Sequence, residues 1–407
     1  MNNMRTTIFL ILMCVTFSLS AQNPIQWRGE DRTGIYNEQG LLKSWPAGGP
    51  RLLWHFDDLG EGHSSVAIDA NKIYITGLTG DTGYLYVFDM NGKLLNKKEY
   101  GKEWNKNYNG SRGTVSFSEG KLYIYAGTGS LICMNQNTLD ILWTKHIEDD
   151  FGGKNIMWGV NESPLIVGEK VILSPGGKEH NVVALNKNNG SLIWSCPGVG
   201  DLSSYCSPLY IANQEIPLIV TTMASHIVGI EIATGKLLWS HPYENNRKIH
   251  PNTPVYDGKD RILITNGYNK GSMMLRLTNG GRSVEQVWEN DDLKSKHGGV
   301  VKISNYVYIG GDGNSGKSWH CVDWNTGEIK YKDQTITAGV VIAADGMLYC
   351  YSEKGEMALV RATPEKFDLI SMFPITLGTG PHWAHPVIYQ GVLYVRHGNT
   401  LMAYKIN

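Results

Sequence analysis

One short phrase, repeated along the chain at nearly constant spacing, limits the fold more than any other feature of the sequence. In its clearest copies, Val182–Trp194 and Ile227–Trp239, an apolar strand is followed by an Asn-Gly or Thr-Gly turn and a second strand that ends in Trp. Such pairs between alternating strands are a strong hairpin signal, because the turn needs positive φ. Related copies are Leu131–Trp143, Met273–Trp288 and Trp319–Tyr331, and weaker ones are Leu85–Lys97 and Met357–Phe373. The closing aromatic residues of the five clear copies stand 43 to 51 residues apart, a period typical of four-stranded propeller blades.

A second pair of strands precedes each hairpin and gives the number of repeats. The eight copies begin near Ser65, Gly113, Ser163, Ser207, Thr253, Gly299, Gly339 and His385. The last copy, His385–Ala403, supplies three strands, and Arg51–Phe56 near the other terminus offers the fourth. We therefore predict an all-β fold, an eight-bladed β-propeller of four-stranded antiparallel blades over residues 51–407. Pairing of the N- and C-terminal strands would close the ring and leave no exposed sheet edge.

Composition and charge agree with this fold and exclude some partners. Gly accounts for 47 of the 407 residues, and there are 12 Trp and 21 Tyr, which suits many turns between aromatic-rich strands. The 37 basic and 38 acidic side chains nearly cancel, so nothing favours binding to nucleic acid or to an anionic membrane. We expect a monomer.

The N-terminal residues are typical of an export signal. Met1–Arg5 carries one basic side chain, Ile8–Leu19 is largely apolar, and Ser18–Ala21 offers small residues for cleavage. We predict a signal peptide over residues 1–21, a leader over 22–50 packed on the outside of the propeller, and a periplasmic or secreted chain without a transmembrane segment. Bulky Met13 before Cys14 makes a poor lipoprotein cleavage site.

The cysteines do not form a recognisable framework. Removing Cys14 with the signal peptide leaves five, an odd number, and no CxxC pair. Cys196 and Cys206 stand ten residues apart and could bridge if their loop folds back. The other three, Cys133, Cys321 and Cys350, suit buried positions on strands.

One stretch of the sequence matches the motif of a nucleotide-binding loop, but its context does not support that function. Gly311–Ser318 fits GxxxxGK[ST], but a phosphate-binding loop needs a helix directly after it. Here Trp319–Trp324 has strand character and belongs to the repeated hairpin. We interpret the stretch as a Gly-rich loop between strands.

The loops that lead into the first strand of each blade, together with those between the second and third strands, should line one mouth of the central channel. The residues there include several His, one Arg, one Glu and several aromatics, which is typical of small-molecule and sugar pockets. As catalytic candidates we take His63, Arg112, Glu162, His250, His297 and His385. As ligand-binding candidates we take Trp104, Tyr108, Trp158, Tyr205, Asn252, His382 and Trp383. Any single His could merely bond to loop backbone, but recurrence at one repeat position favours a site. No H-x-H or HExxH spacing predicts a metal.

The Ala184-Leu-Asn-x-x-x-Gly-x-x-x-Trp194 phrase resembles the pyrroloquinoline-quinone-type repeats of quinoprotein dehydrogenases, which also occur in the outer-membrane assembly lipoprotein BamB. Trp27-Arg28-Gly29 and Gly49-Pro50 resemble exported propellers of this type. The resemblance implies a quinone and a calcium ion in the channel, held by a Glu, an Asn and an Asp. Glu162 and Asn252 resemble the first two, but Lys296-His297 stands where the Asp should be, and the adjacent Cys pair is absent. The sequence therefore leaves open whether the protein binds a cofactor.

Three functions fit these features. The first is binding or conversion of a small ligand, a cofactor or sugar-type substrate, in the axial pocket, with quinoprotein-like oxidation as one chemistry. The second is a BamB-like scaffold that binds proteins in the cell envelope. The third is a polysaccharide lyase-type enzyme, in which a His or Tyr takes a proton and Arg112 neutralises a carboxylate. Because one fold hosts enzymes and scaffolds alike, the sequence leaves open whether the protein is an enzyme.

Overall fold

Eight four-stranded antiparallel units make up the fold in the computed structural model, which describes residues 24–313 and 316–407. The predicted signal peptide lies outside these residues. The strands of blades 1 to 4 are Ala67–Asp69, Lys72–Thr79, Thr82–Asp89 and Leu94–Lys102; Ser116–Ser118, Lys121–Tyr125, Ser130–Asn135 and Ile141–His146; Leu165–Val167, Lys170–Leu173, Val182–Asn186 and Leu192–Cys196; Leu209–Ile211, Leu218–Thr222, His226–Glu231 and Leu237–Pro242.

The other four blades complete the ring. Their strands are Val255–Tyr256, Arg261–Ile264, Ser272–Thr278 and Ser283–Asn290; Val300–Ile303, Tyr306–Gly313, Gly316–Asp323 and Ile329–Asp333; Gly339–Ala344, Met347–Ser352, Glu356–Arg361 and Asp368–Pro374; Val387–Tyr389, Val392–His397 and Thr400–Lys405 with Leu52–Phe56. The last strand pairs antiparallel with Thr400–Lys405, which confirms the predicted closure. A short helix, Ile147–Phe151, and a 3-10 turn, Asn279–Gly281, lie in connections.

Tryptophan side chains pack several of the blades against the next one. The indole of Trp194, at the end of blade 3, covers Gly235 in the hairpin turn of blade 4 and donates to the carbonyl of Ile232 at 3.0 Å. A Cβ at Gly235 would lie 2.7 Å from that ring, and its φ of +78° also favours glycine. The same pairing joins Trp143 to Gly190. The repeated Gly and Trp of the sequence phrase therefore meet across blades, not within one.

Hydroxyl groups join the inner ends of neighbouring blades. The Ser65 amide donates to Thr114 Oγ1 at 3.3 Å, the Thr114 amide to Ser163 Oγ at 3.0 Å, and the Ser163 amide to Ser207 Oγ at 2.9 Å. These four residues hold equivalent positions just before the first strands. Their chain of hydrogen bonds holds the loops that carry the candidate site residues at one level around the channel.

The leader does not lie wholly outside the ring, as was expected. Ile25 pairs with Ile68 of blade 1, and Ile35–Tyr36 pairs in parallel with the first strand of blade 7. Between them, Arg32 donates to the Ser163 carbonyl of blade 3 at 3.2 Å. Since these partners belong to first strands or to the loops just before them, residues 25–36 run along the inside of the channel. For this segment the prediction is wrong.

The later part of the leader does pack on the outside of the blades. Trp45 contacts Tyr349 and Phe373 of blade 7, with ring centroids 5.7 and 5.5 Å away, and its indole donates to the Met357 carbonyl at 3.1 Å. The Leu42 amide donates to Ile406 at the C-terminal end of the chain.

Two further sequence interpretations have clear outcomes. All five cysteines among the described residues are free and buried, so Cys196 and Cys206 are not bridged. Cys196 ends the outer strand of blade 3, whereas Cys206 lies in the loop before the inner strand of blade 4, with its sulfur 3.5 Å from the Asn252 carbonyl. Most of the GxxxxGK[ST] match lies in the paired strands Tyr306–Gly313 and Gly316–Asp323, so it forms strand and not the loop that we expected. In the described part of the chain, no helix is long and apolar enough to span a membrane.

Candidate functional site

A cavity of about 380 Å³ lies at one mouth of the channel. It is bounded by the loops before the first strands, by loops between second and third strands, and by the leader. Nine of the predicted residues line it: His63, Tyr108, Arg112, Trp158, Tyr205, Asn252, His297, Trp383 and His385. The structure therefore brings together most of the candidates, from the loops that precede the first strands of seven different blades.

Aromatic rings form the walls of this cavity. Trp383 is central, with its ring centroid 5.3 Å from those of His63 and Tyr108 and 5.2 Å from that of His297. On the opposite side, Trp158 lies 6.1 Å from Tyr205 and 6.3 Å from Tyr268. Such surfaces suit a ligand with a flat or ring-shaped body.

Arg112 holds the loop above the cavity and brings a positive charge to it. Its Nε donates to the Trp158 carbonyl at 2.8 Å, Nη1 to Gly110 at 2.7 Å, and Nη2 to Tyr108 at 2.5 Å. Burial lowers its pKa to about 10, and the nearby Glu103 favours its charged form without a hydrogen bond to it. Arg112 is therefore charged at neutral pH.

Arg28 brings a second charge, from inside the channel. Its guanidinium donates to the carbonyls of Thr33 and Val300 and to Nδ1 of His385 at 3.2 Å. Because a guanidinium only donates, His385 Nδ1 must be the acceptor, and Nε2 carries the proton that it donates to the His297 carbonyl at 3.2 Å. His385 is thus fixed as one neutral tautomer. Burial, and then the Arg28 charge, hold the pKa of His385 well below its ordinary value.

His63 and His297 face the cavity as neutral imidazoles. Burial, and to a lesser extent the charges of Arg112 and Arg396, lower the pKa of His63 to about 3. Its ring nitrogens have no hydrogen bond of normal geometry to the described residues, although the backbone near Tyr108 raises the pKa slightly. Burial also lowers the pKa of His297. Both imidazoles are therefore unprotonated at neutral pH.

The remaining cations at the cavity are paired. Lys317 forms a salt bridge with Glu353, and Lys296 forms one with Asp312. Neither Arg28 nor Arg112 forms a salt bridge with any carboxylate among the described residues. The cavity therefore has an excess of positive charge.

Four predicted residues do not line the cavity. Trp104 supports the Arg112 loop from behind, its ring 5.8 Å from that guanidinium. His250 is 1% exposed and turned away: its Nε2 donates to the Ala224 carbonyl at 3.2 Å, and its Nδ1 accepts from Asn266 at 2.7 Å. These bonds make His250 a buried structural residue in this geometry.

His382 and Glu162 also lie outside the lining. His382 stacks on His397 with centroids 3.6 Å apart and bonds to the Tyr351 hydroxyl at 2.6 Å. Glu162 is buried, and its Oε2 accepts from the Ser174 amide at 3.1 Å. Burial raises the pKa of Glu162 to about 8, opposed by the charge of Arg32.

Sequence reasoning missed several residues that the cavity contains. They are chiefly Trp27, Arg28, Tyr268, Lys296, Lys317 and Glu353. Tyr268 and Glu353 lie in loops between second and third strands, which were expected to face this mouth, so a fuller reading of those loops would have found them. Nothing in the repeat pattern indicates Trp27 and Arg28.

The calcium site implied by the quinoprotein resemblance does not fit these residues. The Glu162 carboxyl lies outside the cavity lining, beside the charge of Arg32, and the Asn252 amide donates to Thr265 Oγ1 and to the Ser295 carbonyl. The third position holds a lysine, Lys296, already paired with an acid. Within residues 24–313 and 316–407 no cluster of three His, Cys, Asp or Glu could hold a metal ion.

An eight-bladed propeller with a polar axial cavity places the protein in the class of pyrroloquinoline-quinone-type repeat propellers. The family described as "Outer membrane protein assembly factor BamB" matches residues 38–333, and the chain belongs to this family. The fold also resembles BamB from Moraxella catarrhalis, with 14% identity, 88% of this chain and 100% of that one covered, and a TM-score of 0.63. Against a quinohemoprotein alcohol dehydrogenase from Pseudomonas putida HK5 the identity is 12%, the coverage 94% and 80%, and the TM-score 0.65.

A curated relative adds a different activity. The tetrathionate hydrolase of Acidithiobacillus ferrooxidans is 26% identical over 291 residues, which cover 67% of this chain and 52% of the relative. The chain thus spans about half the length of that protein. The two solved structures, both under 25% identical, indicate the fold alone.

Proposed function

We propose that this protein binds a small anionic ligand in the axial cavity and acts on it there, in the cell envelope. The observation that carries the proposal is the presence of two buried guanidinium groups, Arg28 and Arg112, without a salt-bridge partner among the described residues. Buried charges are costly unless they are paired, so a negatively charged ligand would relieve an existing penalty.

The aromatic walls narrow the shape of the ligand. Trp383, Tyr108 and Trp158 offer ring faces at the sides of the cavity, which suits a sugar acid, a flat carboxylated ring, or an extended dianion. Tetrathionate, which appears in the name of the curated relative, is an extended dianion. A bound anion would offset the charges of Arg112 and Arg396 that lower the pKa of His63, and so would shift that pKa in the direction that general-base chemistry needs.

Calorimetric titration tests the proposal directly. We expect the purified chain to bind at least one of tetrathionate, D-galacturonate and pyrroloquinoline quinone, and to bind it more weakly as salt rises, while uncharged galactose does not bind. Equal affinity for galacturonate and galactose, together with no binding of the other two anions, would contradict the proposal.

Replacement of Trp383 by alanine should raise the Kd of the ligand about tenfold. The ring lies beside those of His63, Tyr108 and His297 in the cavity wall. One aromatic contact between it and a ring-shaped ligand would contribute about 0.5–1.5 kcal/mol beyond simple burial, and about 1.4 kcal/mol corresponds to a tenfold change in Kd. The measurement is the Kd of the tightest of the three anions. Tyr84→Ala, which removes a ring from blade 1 outside the cavity lining, is the matched control and should leave Kd unchanged.

A second function, binding of a partner protein, is favoured by one feature of the surface. The outer strands of the first three blades expose adjacent pairs of large apolar side chains: Leu94 and Leu95, Ile141 and Leu142, Leu192 and Ile193. Exposed apolar side chains that cluster on a surface mark interaction sites.

Site-specific crosslinking in intact cells tests this second function. A photoreactive residue at Leu142 should capture one discrete protein, whereas one at Met372 on blade 7, which is slightly more exposed, should not. Identical crosslinking patterns at the two positions would count against a docking surface.

A further inference from the structure

The leader segment, residues 25–36, forms part of the cavity wall although it precedes the whole propeller in sequence. The Trp27 ring lies 4.7 Å from that of His385 on blade 8, and its indole donates to Thr253 Oγ1 on blade 5 at 3.3 Å. One side chain of the leader thereby contacts two blades on different sides of the cavity.

Arg28 connects this segment most firmly to the site. Its guanidinium, 4% exposed, reaches the Val300 carbonyl of blade 6 and His385 of blade 8. Its backbone has φ +59°, a left-handed conformation that is unfavourable for arginine and persists only where surrounding contacts sustain it. Position 28 therefore combines a buried charge with an unfavourable backbone conformation.

We propose that residues 25–36 take part in ligand binding. A bound anion and the position of this segment inside the channel then stabilise each other through Arg28. The inference rests on the proposed function only in taking the ligand to be an anion. The coupling is reciprocal by thermodynamic necessity. A change that displaces Arg28 lowers the affinity for the ligand, and the bound ligand protects the segment from opening.

Gly34 allows Arg28 to be displaced without altering any residue that lines the cavity. Gly34 has φ +75°, and a Cβ added there would lie 2.9 Å from Cζ of Arg28 and closer still to its Nη2. Its amide also donates to the Arg28 carbonyl at 2.9 Å. Gly34→Ala should therefore push the guanidinium out of its position.

Gly40 provides the matched control within the same leader. It has nearly the same φ, +72°, but a Cβ there meets nothing within 4 Å. Gly40→Ala therefore reproduces the backbone strain of the substitution without the collision. Any difference between the two variants reports the displacement of Arg28.

The test combines ligand affinity with hydrogen exchange on the full chain. Using tetrathionate, D-galacturonate and pyrroloquinoline quinone as probes, we expect Gly34→Ala to raise Kd at least tenfold and Gly40→Ala to change it less than twofold. In the wild-type chain, a probe at 100 times its Kd should slow amide exchange in residues 25–36 at least tenfold, since binding at that level stabilises the bound form by up to about 100-fold.

The outcomes separate this inference from the proposed function. Equal affinity of the two glycine variants, or no change of exchange in residues 25–36 on binding, overturns the inference alone. If the wild-type chain binds none of the three probes, the proposed function fails and the inference falls with it. Weaker binding by Gly34→Ala with protection of the segment in the wild-type chain supports both.

Discussion

Replacement of Trp194 by alanine is expected to lower the free energy of unfolding by about 3–5 kcal/mol, the usual cost of removing a buried large aromatic side chain. Trp194 is 7% exposed, and its ring fills the space between blades 3 and 4 over Gly235. The substitution also removes the hydrogen bond to the Ile232 carbonyl. Because the stability of a repeat fold is approximately the sum of its repeat and interface contributions, the loss at this interface should lower the stability of the whole ring. Urea denaturation followed by far-ultraviolet circular dichroism measures it.

Two variants on the same strand separate packing from other causes. Trp194→Phe keeps a ring but loses the indole N–H, so we expect a smaller loss, dominated by missing volume and about 1 kcal/mol for the hydrogen bond. Leu192→Ala changes a side chain that is 47% exposed and should cost less than about 0.5 kcal/mol. If Trp194→Ala lowers the free energy of unfolding no more than Leu192→Ala does, the indole does not stabilise the packing between blades.

The fold could be predicted because its information is local and repeated. The Thr-Gly turn of Ile227–Trp239 specifies a hairpin by backbone conformation alone, and its recurrence gives the blade count. Closure by Leu52–Phe56 followed from counting strands. The pattern did not reveal that Gly235 needs to be small because the tryptophan of the preceding blade lies over it.

The site could be predicted only where it follows the repeat. His297 and Trp383 occupy repeated positions, and both line the cavity. Arg28 does not, because its place depends on contacts with Val300 and His385, which are 272 and 357 residues away in sequence. His250 shows the opposite failure: it holds a repeated position, but its ring turns toward Ala224 and away from the cavity. Side-chain direction within a loop is set by such partners, which spacing does not record.

His250 should make the fold sensitive to acid without contributing to ligand binding. Burial lowers its pKa to about 4, from an ordinary value near 6.5. Between these two pH values His250 binds a proton in the unfolded chain but not in the folded chain. The free energy of unfolding therefore falls as pH falls from about 6.5 towards 4. For this one group the loss amounts to about 3 kcal/mol, at about 1.4 kcal/mol for each unit of pKa.

His250→Gln isolates that contribution, because glutamine does not titrate. The variant should be less stable at pH 7.5, where the packing and hydrogen bonds of the imidazole are lost, yet the difference from the wild-type chain should shrink by about 3 kcal/mol on going to pH 4. Paired urea denaturation curves at both pH values measure this difference, in which the other titrating groups cancel. The partly exposed His241, substituted in the same way, controls for the loss of a histidine as such. Because both ring nitrogens of His250 bond to Ala224 and Asn266, ligand affinity at pH 7.5 should be unchanged. Lost affinity in a folded variant would instead place His250 among the residues that act on the ligand.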